Sequence, residues 1–137
     1  MSSFEISLDP ERIDLARTSE LIRQSYWGEG RSDAFNRRAF AQSICVSALV
    51  EGQQVGFARA SGDRTMFARI SDVIVWPEHR GEGIGKALVE ALLGHTELAS
   101  VSIWTLNTSD AQALYARYGF RPVTDGSEMR LDRLTAA

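Results

Sequence analysis

The stretch that decides the fold spans residues 70–95 and reads ISDVIVWPEHRGEGIGKALVEALLGH. Its first part, VIVW at residues 73–76, has the length and composition of a buried strand, and Pro77 ends it. A glycine-rich segment follows at residues 80–86, and the apolar residues after it recur at spacings of three and four up to Gly94. The stretch therefore predicts a strand, a glycine-rich turn and a helix in direct succession.

The glycine-rich turn, RGEGIGK at residues 80–86, is suited to binding an anion. The first N–H groups of a helix lack intrahelical acceptors and point to the space in front of the helix. Glycine lets a phosphate approach the backbone closely, and a side chain at Gly83 or Gly85 would obstruct that approach. Arg80 and Lys86 add positive charge, although both could instead belong to a solvated surface. The turn therefore predicts a phosphate-binding site.

The composition is that of a globular protein, with 44% apolar and 24% charged residues among 137. We predict one domain over residues 1–137, large enough to bury a core without disulfides or metal. The formal net charge is −3 and the sequence contains no basic run, which gives no support for nucleic acid as a partner. No long apolar run suggests a signal peptide or a membrane span, so no membrane partner is expected.

Residues that could bind metal or form disulfides are few. Cys45 is the single cysteine and cannot form an internal disulfide, so a reducing cytoplasmic location is expected. Cys45 and the two histidines do not have the spacing of metal ligands, so no metal site is expected.

The rest of the chain predicts strands that alternate with helices. Asp9 and Pro10 are typical of a helix start, and Gly119 is placed to end the last helix in a left-handed conformation. The predicted elements, besides the central strand and helix, are a strand at residues 4–8, helices at 9–24 and 33–42, a hairpin of strands at 44–50 and 54–60, a strand at 101–106, a helix at 111–118, and strands at 120–123 and 128–134. This order predicts a mixed α/β sheet.

Two motifs make the chain similar to the Gcn5-related N-acetyltransferase (GNAT) family. RGEGIG at residues 80–85 matches the family's acetyl-CoA signature Arg-x-x-Gly-x-Gly, and LYARYGF at residues 114–120 resembles its Leu-Tyr-x-x-x-Gly-Phe. One strand and one helix separate the motifs, and the element order also matches, so the resemblance covers nearly the whole chain. It implies a mixed, mostly antiparallel twisted sheet flanked by helices, with a splayed parallel strand pair at the cofactor site.

The resemblance also implies acetyl-CoA as cosubstrate. Its pantetheine arm would pair with residues 73–75 as an extra strand, and its pyrophosphate would lie on the N–H groups of the turn at 80–86. Thr108 takes the place of a family asparagine, and it could instead be only a helix cap. The implied cofactor-binding residues are Val73, Ile74, Val75, Arg80, Gly81, Glu82, Gly83, Ile84, Gly85, Lys86, Thr108 and Tyr115.

The implied reaction is direct attack of a primary amine on the thioester. By resemblance, Tyr115 donates a proton to the departing thiolate, and a backbone N–H of residues 73–75 binds the oxyanion. Tyr115 could alternatively be a core residue whose hydroxyl is satisfied elsewhere. Some relatives use a carboxylate base on the strand before the signature, which suggests Asp72, while others use a water chain, in which case Asp72 would form structural hydrogen bonds.

The acceptor side is implied by the same resemblance. The first helices, their loop and the C-terminal strands line the acceptor pocket in the family, which places Tyr26, Trp27, Arg31 and residues 124–130 there. Tyr26 and Trp27 could instead cover the core. We expect a small-molecule amine or amino-acid-like acceptor, although a protein N-terminus is also possible, and a homodimer is possible because relatives often form one.

Two other functions compete with acetyl transfer. A non-catalytic domain that binds acyl-CoA as a sensor or scaffold would keep the turn at 80–86 without needing Tyr115 as an acid. A nucleoside-triphosphate-binding loop would need Gly-x-x-x-x-Gly-Lys-Ser/Thr and a magnesium ligand, and the sequence carries no such arrangement.

Overall fold

The structure is a computed structural model that describes residues 3–133. These residues belong to two compact units, and the boundary between the units lies between Asn107 and Thr108. The first unit contains a sheet with helices on both faces, and the second contains a short helix followed by a segment without helix or strand up to residue 133. Within the described range, no helix combines the length and apolar character needed to cross a membrane.

Five strands form one sheet in which spatial order follows chain order. Neighbouring strands are antiparallel except the last two, which are parallel. This arrangement confirms the predicted mixed, mostly antiparallel sheet. The strands are β1 (Glu5–Ser7), β2 (Ile44–Val50), β3 (Gln53–Gly62), β4 (Phe67–Val75) and β5 (Ile103–Thr105).

The helices lie between the strands and after them. Three short 3-10 turns accompany them at Pro10–Arg12, Pro77–His79 and Thr96–Leu98. The α-helices are α1 (Leu15–Gln24), α2 (Asp33–Ala41), α3 (Ile84–Leu93) and, in the second unit, α4 (Gln112–Ala116).

The single helix predicted for residues 9–24 is wrong, because two elements occupy that stretch. Asp9 is the N-cap of the short 3-10 turn only, and its side chain accepts from the N–H of Glu11. Ile13 is extended, and Asp14 then caps α1. The N–H of Asp14 donates to Oε1 of Gln54 on β3 at 2.7 Å, so a hydrogen bond to the sheet stabilises the interruption between the 3-10 turn and α1.

The core forms on both faces of the sheet. On one face, α3 buries Ile84, Leu88, Val89 and Leu92. A Cβ on Gly56 of β3 would come within 2.9 Å of Cγ2 of Ile84, so only glycine lets α3 approach this closely. Phe57 points to the opposite face, where its ring lies 4.6 Å from that of Phe40, so α2 covers that face.

The two strands predicted near the C-terminus are also wrong for the part that the structure describes. No strand forms within residues 120–133, and Leu134, the last residue of the second prediction, lies outside the described residues. Val123, Met129 and Leu131 are exposed there. Alternation of apolar and polar residues shows which face a strand would bury, but a strand also needs a neighbour to pair its N–H and C=O groups.

Candidate active site

The parallel pair of strands diverges where the site begins. The ladder between β4 and β5 joins Phe67 to Ile103, Ala68 to Trp104 and Arg69 to Thr105, which is three of the nine residues of β4. β5 ends at Thr105, while β4 continues to Val75. Within the first unit, the β5-facing backbone edge of residues 73–75 therefore has no strand paired to it. The predicted splayed parallel pair is confirmed.

A bulge in β4 lies directly before this unpaired edge. Ile74 pairs with Phe57, and Ser71 pairs with Arg59, so β4 carries one extra residue between these two pairs. Asp72 lies in the bulge with φ of +57°, in the left-handed region that non-glycine residues seldom adopt. A bulge bends a strand and changes the direction of the groups that follow it. The backbone direction at 73–75 therefore depends on the conformation of Asp72.

The side chain of Asp72 is held by two arginines. Arg31 donates through Nη1 to Oδ1 at 2.8 Å and through Nη2 to Oδ2 at 2.7 Å, and Arg59 donates through Nε to Oδ2 at 2.7 Å. The side chain of Asp72 is only 3% exposed. Burial by itself raises the pKa of Asp72, but the hydrogen bonds and charges of the two arginines outweigh it, so the pKa lies below its ordinary value.

Neutral side chains extend this arrangement into the helices. Nε of Arg31 donates to Oδ1 of Asn36 on α2 at 2.9 Å, and Nδ2 of Asn36 donates to Oγ of Ser19 on α1 at 3.1 Å. Nη1 of Arg59 donates to Oγ of Ser43 at 3.1 Å. Arg31, expected to face an acceptor, is 7% exposed, and its guanidinium is directed at Asp72 and Asn36.

The glycine-rich turn has the backbone geometry that an anion site needs. Gly81 and Gly83 have φ of +82° and +83°, and Gly83 is the N-cap of α3 without any side-chain cap. The first backbone bond of α3 runs from the N–H of Ala87 to Gly83, so the N–H groups of residues 84–86 precede the intrahelical ladder. Gly85, unlike Gly81 and Gly83, does not have a positive φ. A Cβ there would make an ordinary van der Waals contact, 3.7 Å from Cγ2 of Val75.

The charged residues of the turn are open to solvent. Arg80, Glu82 and Lys86 are exposed, while Ile84 is buried in the core. Nε of Arg80 donates to the carbonyl of Val75 at 3.3 Å, which links the turn to the end of β4. Among residues 3–133, no group of three or more histidine, cysteine or carboxylate residues could hold a metal ion.

The loop between α1 and α2 presents two aromatic rings. Tyr26 is 75% exposed and Trp27 is 40% exposed, so these rings do not close over the core. Gly28 is buried, and a Cβ there would lie 2.3 Å from the carbonyl oxygen of Ile22, so the loop packs tightly against the end of α1. The loop thus exposes its rings from a fixed backbone.

Within the second unit, Tyr115 lies on α4 and is buried, with its ring edge-on to Phe120 at 6.0 Å. Burial, and then the negative charge of Asp110, raise the pKa of Tyr115. Gly119 has φ of +93°, which confirms the predicted left-handed stop. Oγ1 of Thr108 accepts from the N–H of Ala111 at 3.0 Å, although the N-cap of α4 is Ala111 itself and no side chain of the described residues caps the helix.

The sequence interpretation missed Arg59 and the bulge. A signal for both was present, because Asp72 interrupts an apolar strand and a buried carboxylate requires a partner. The identity of the partner depends on which strands pair and where the loop after α1 returns, and spacing along the chain does not contain that information.

Comparison with known proteins identifies a family model and solved structures that this chain matches. The family model of the acetyltransferase (GNAT) domain matches residues 41–122. A crystal structure of a protein from Xanthomonas campestris pv. campestris, assigned to the GNAT family, has a TM-score of 0.85 and 40% identity, and the match covers 90% of this chain and 87% of that one. Glucosamine-6-phosphate N-acetyltransferase of Arabidopsis thaliana shares the fold, with a TM-score of 0.67 and 19% identity over 95% of this chain and 99% of that one.

Curated relatives match over a shorter part. The uncharacterised N-acetyltransferase ycf52 of Pyropia yezoensis is 37% identical over 89 residues, which are 61% of this chain and 51% of the relative. The chain spans about half, or less, of the length of the curated relatives that it matches in this way.

Proposed function

Because the chain belongs to the GNAT acetyltransferase family, we propose that it transfers an acetyl group from acetyl-CoA to a primary amine of a small molecule. The observation that carries this proposal is the succession of an unpaired strand edge at residues 73–75 and an uncapped, glycine-rich helix start at 80–86. An extended chain can pair with the first, and a phosphate can bind to the second.

In this proposal, acetyl-CoA binds along β4 and the turn. The pantetheine amides pair with the backbone of residues 73–75, and the pyrophosphate accepts from the N–H groups at the start of α3. Arg80 and Lys86 add attraction, although such exposed charges contribute only about 1 kcal/mol or less each. Specific binding therefore rests mainly on the backbone of the turn, which supports the need for Gly81 and Gly83.

The proposed reaction is a direct transfer. The neutral amine attacks the thioester carbon with its lone pair, a backbone N–H of residues 73–75 stabilises the oxyanion, and the C–S bond then breaks. The thiolate takes a proton from Tyr115, a role that rests on the match to the family motif. Burial raises the pKa of Tyr115, so the phenol is protonated at neutral pH but is a weaker proton donor than an ordinary tyrosine, and the role therefore rests on the motif and not on the pKa.

Asp72 is a poor candidate for the base. Both of its oxygens accept from arginines, and its lowered pKa makes the carboxylate a weak proton acceptor. The geometry favours the structural alternative for this residue. We propose that the attacking nitrogen, which becomes positively charged as the C–N bond forms, loses its proton to water, and that Tyr115 regains a proton from water.

We propose that the acceptor contacts the exposed rings of Tyr26 and Trp27. The similarity to glucosamine-6-phosphate N-acetyltransferase concerns the fold alone at 19% identity, so it names no acceptor for this chain. A small-molecule amine remains our proposal for the acceptor, and the panel of amines described below tests it. A cytoplasmic site of action belongs to the same proposal and rests on Cys45 as a single thiol.

A non-catalytic acyl-CoA sensor is the second candidate, and the Tyr115→Phe variant separates it from the enzyme. Purified protein is incubated with acetyl-CoA and a panel of amines and amino acids, and the release of free thiol is followed. An enzyme loses turnover by about 10²-fold in Tyr115→Phe while acetyl-CoA affinity stays unchanged.

The matched control is Tyr118→Phe, which removes a hydroxyl from the same motif and should keep turnover. If the protein binds acetyl-CoA but releases no thiol with any amine of the panel, the sensor function is favoured. Equal turnover in Tyr115→Phe and the wild type would remove Tyr115 from the mechanism.

A further inference from the structure

We propose that Arg31, Asp72 and Arg59, hereafter the Asp72 cluster, form a positioning device for the acyl group. The cluster holds the bulge of β4 against the loop between α1 and α2, and so sets the direction of the backbone N–H groups at residues 73–75. The inference rests on the proposed function, because those groups are proposed to bind the cofactor and the oxyanion.

The first step concerns the backbone of Asp72. Its φ of +57° is unfavourable for a residue with a side chain and persists only where the surroundings hold it. Aspartate tolerates this region better than most residues. Asp72 lies directly before residues 73–75, so a relaxation of its φ would rotate the peptide groups whose direction matters.

The second step concerns the two arginines. Arg59 pairs with Ser71 in the ladder, so it lies beside the bulge on the neighbouring strand. Arg31 approaches from the loop and makes two parallel bonds to the carboxylate. A planar guanidinium that donates twice fixes orientation as well as distance, which a lysine cannot do. The carboxylate is thereby fixed from two elements at once.

The third step concerns charge. Two guanidinium groups meet one carboxylate, and two further N–H groups of these arginines donate to Asn36 and Ser43, which are neutral. Asp72 must therefore stay ionised to balance the buried positive charge. A carboxylate that accepts three hydrogen bonds from two arginines is held in position and is a weak proton acceptor, which makes Asp72 a positioning residue.

The fourth step connects the cluster to the acceptor side. Arg31 ends the loop that exposes Tyr26 and Trp27, and Gly28 anchors the middle of that loop against Ile22. A bond from Arg31 to the bulge therefore ties the proposed acceptor loop to the proposed acyl-binding strand. The proposed phosphate-binding N–H groups belong to the turn at 80–86 and the proposed oxyanion-binding group to residues 73–75, so cofactor affinity and acyl positioning can be measured separately.

The test uses Asp72→Asn, which keeps the shape and the tolerance for positive φ but removes the charge, and Arg31→Lys, which keeps the charge but removes the planar fork. The control is Arg64→Lys, whose ion pair with Glu97 is exposed. The readouts are kcat and KM for the amine that gives most thiol release, and the Kd of CoA by calorimetry. We expect kcat to fall by about 100-fold in both variants, as misplacement by about 1 Å can cause. The Kd of CoA should rise by less than about tenfold, because the pantetheine amides contact residues 73–75 but the phosphates bind the turn at 80–86.

Two results overturn the proposal. If kcat stays within about twofold while only the melting temperature falls, the Asp72 cluster is merely structural. If CoA affinity falls as much as kcat, the cluster supports the cofactor turn instead. If Arg31→Lys does not fold, Arg59→Lys replaces it, since Arg59 is less buried.

A direct readout separates this inference from the proposed function. Amide hydrogen exchange at residues 73–75 should be at least about tenfold faster in Asp72→Asn than in Arg64→Lys, with exchange at 80–86 unchanged. Unchanged exchange at 73–75 overturns the positioning role. A wild-type protein that neither binds CoA nor releases thiol defeats the proposed function, while the exchange result still decides whether the cluster holds the bulge.

Discussion

At the scale of single residues, burial decides which groups carry charge. Cys45, Asp72 and Arg59 lie close enough to influence one another, yet burial acts on the thiol and the carboxylate with different outcomes. The carboxylate has two cationic partners and stays ionised. The thiol, which donates to the backbone carbonyl of Phe40, stays neutral because of its burial. A prediction follows for each group.

Cys45 should react slowly with alkylating reagents. Burial raises the pKa of its thiol to about 11, while the charges of Arg59 and Asp72 act in opposite directions. At pH 8 the thiolate fraction is then small, and we expect iodoacetamide to react on the order of 100-fold more slowly than with the same chain in urea. Mass spectrometry of timed samples measures both rates at the single cysteine. Equal rates would show that the thiol is neither buried nor shifted.

Asp72→Asn should destabilise the protein at neutral pH and less so in acid. The folded-state pKa of Asp72 is lowered, so its stabilisation is present above the unfolded pKa of about 3.9 and is lost as pH falls through the folded value. Breaking such a buried pair costs about 3 kcal/mol. Urea unfolding at pH 7 and at pH 3 measures the change.

The control for this change is Asp33→Asn, whose pair with Arg23 is exposed. We expect it to cost less than about 1 kcal/mol at pH 7. A difference between wild type and Asp72→Asn that grows as pH falls from 7 to 3 would contradict the lowered pKa.

Single residues could be predicted from sequence where their role is local. Gly119 ends a helix, and Gly83 begins one, because the chain on either side requires it. Arg31 could not be placed in this way, since its partner lies 41 positions further along the chain. The sequence analysis placed Arg31 in the acceptor pocket, and only the fold shows that its guanidinium binds Asp72.

At the scale of elements, two uses of glycine can be separated in the central stretch. Gly83 needs its backbone angle, whereas Gly85 lies within α3 and has room for a methyl group beside Val75. The protein fold alone therefore does not explain Gly85. The proposed phosphate site explains the glycine at position 85, because a bound phosphate would lie close to the backbone there.

Gly85→Ala should raise stability and weaken cofactor binding. Alanine is favoured over glycine in a helix by about 0.5 to 1 kcal/mol, and the new methyl group makes only an ordinary contact, 3.7 Å from Cγ2 of Val75. Urea unfolding without ligand measures the first effect, and calorimetry with acetyl-CoA measures the second, expected to be a loss of at least about tenfold. Unchanged affinity would move the phosphates away from Gly85.

Elements were predictable where periodicity and caps agree. β2, β3, α2 and α3 follow their predicted ranges within a few residues, because each carries its own apolar pattern and end signals. The break at Ile13 was missed because Asp9 and Asp14 both suit a helix start, and the bond from Asp14 to Gln54 decides between them. The strands at 120–123 and 128–134 were predicted on either side of Asp125 and Gly126 without a known neighbouring strand, and no strand forms within residues 120–133.

At the scale of the whole molecule, the two signature motifs lie in different compact units, since residues 80–85 precede Asn107 and residues 114–120 follow it. The phosphate-binding part of the proposed site is complete within the first unit. Substitutions in the turn should therefore change the affinity for the cofactor. The stabilisation of the folded protein by acetyl-CoA measures that affinity.

Acetyl-CoA should raise the melting temperature of the wild type but not that of Gly83→Glu. A ligand at about 100 times its Kd stabilises the folded state by about 2.7 kcal/mol, which shifts the melting temperature by several degrees. Glutamate at position 83 places bulk and negative charge where the phosphates are proposed to lie. Gly52→Glu is the matched control, because Gly52 has φ of +80° and, like Gly83, open space around a Cβ.

Both variants carry the same backbone strain and the same added charge, so their unliganded melting temperatures should fall together. Only Gly83→Glu should lose the shift with acetyl-CoA, since Gly52 lies in the hairpin between β2 and β3. Scanning calorimetry with and without ligand gives all four values. Equal protection of the two variants would show that acetyl-CoA binds away from the turn, and loss of protection in both would trace the effect to strain and not to the phosphates.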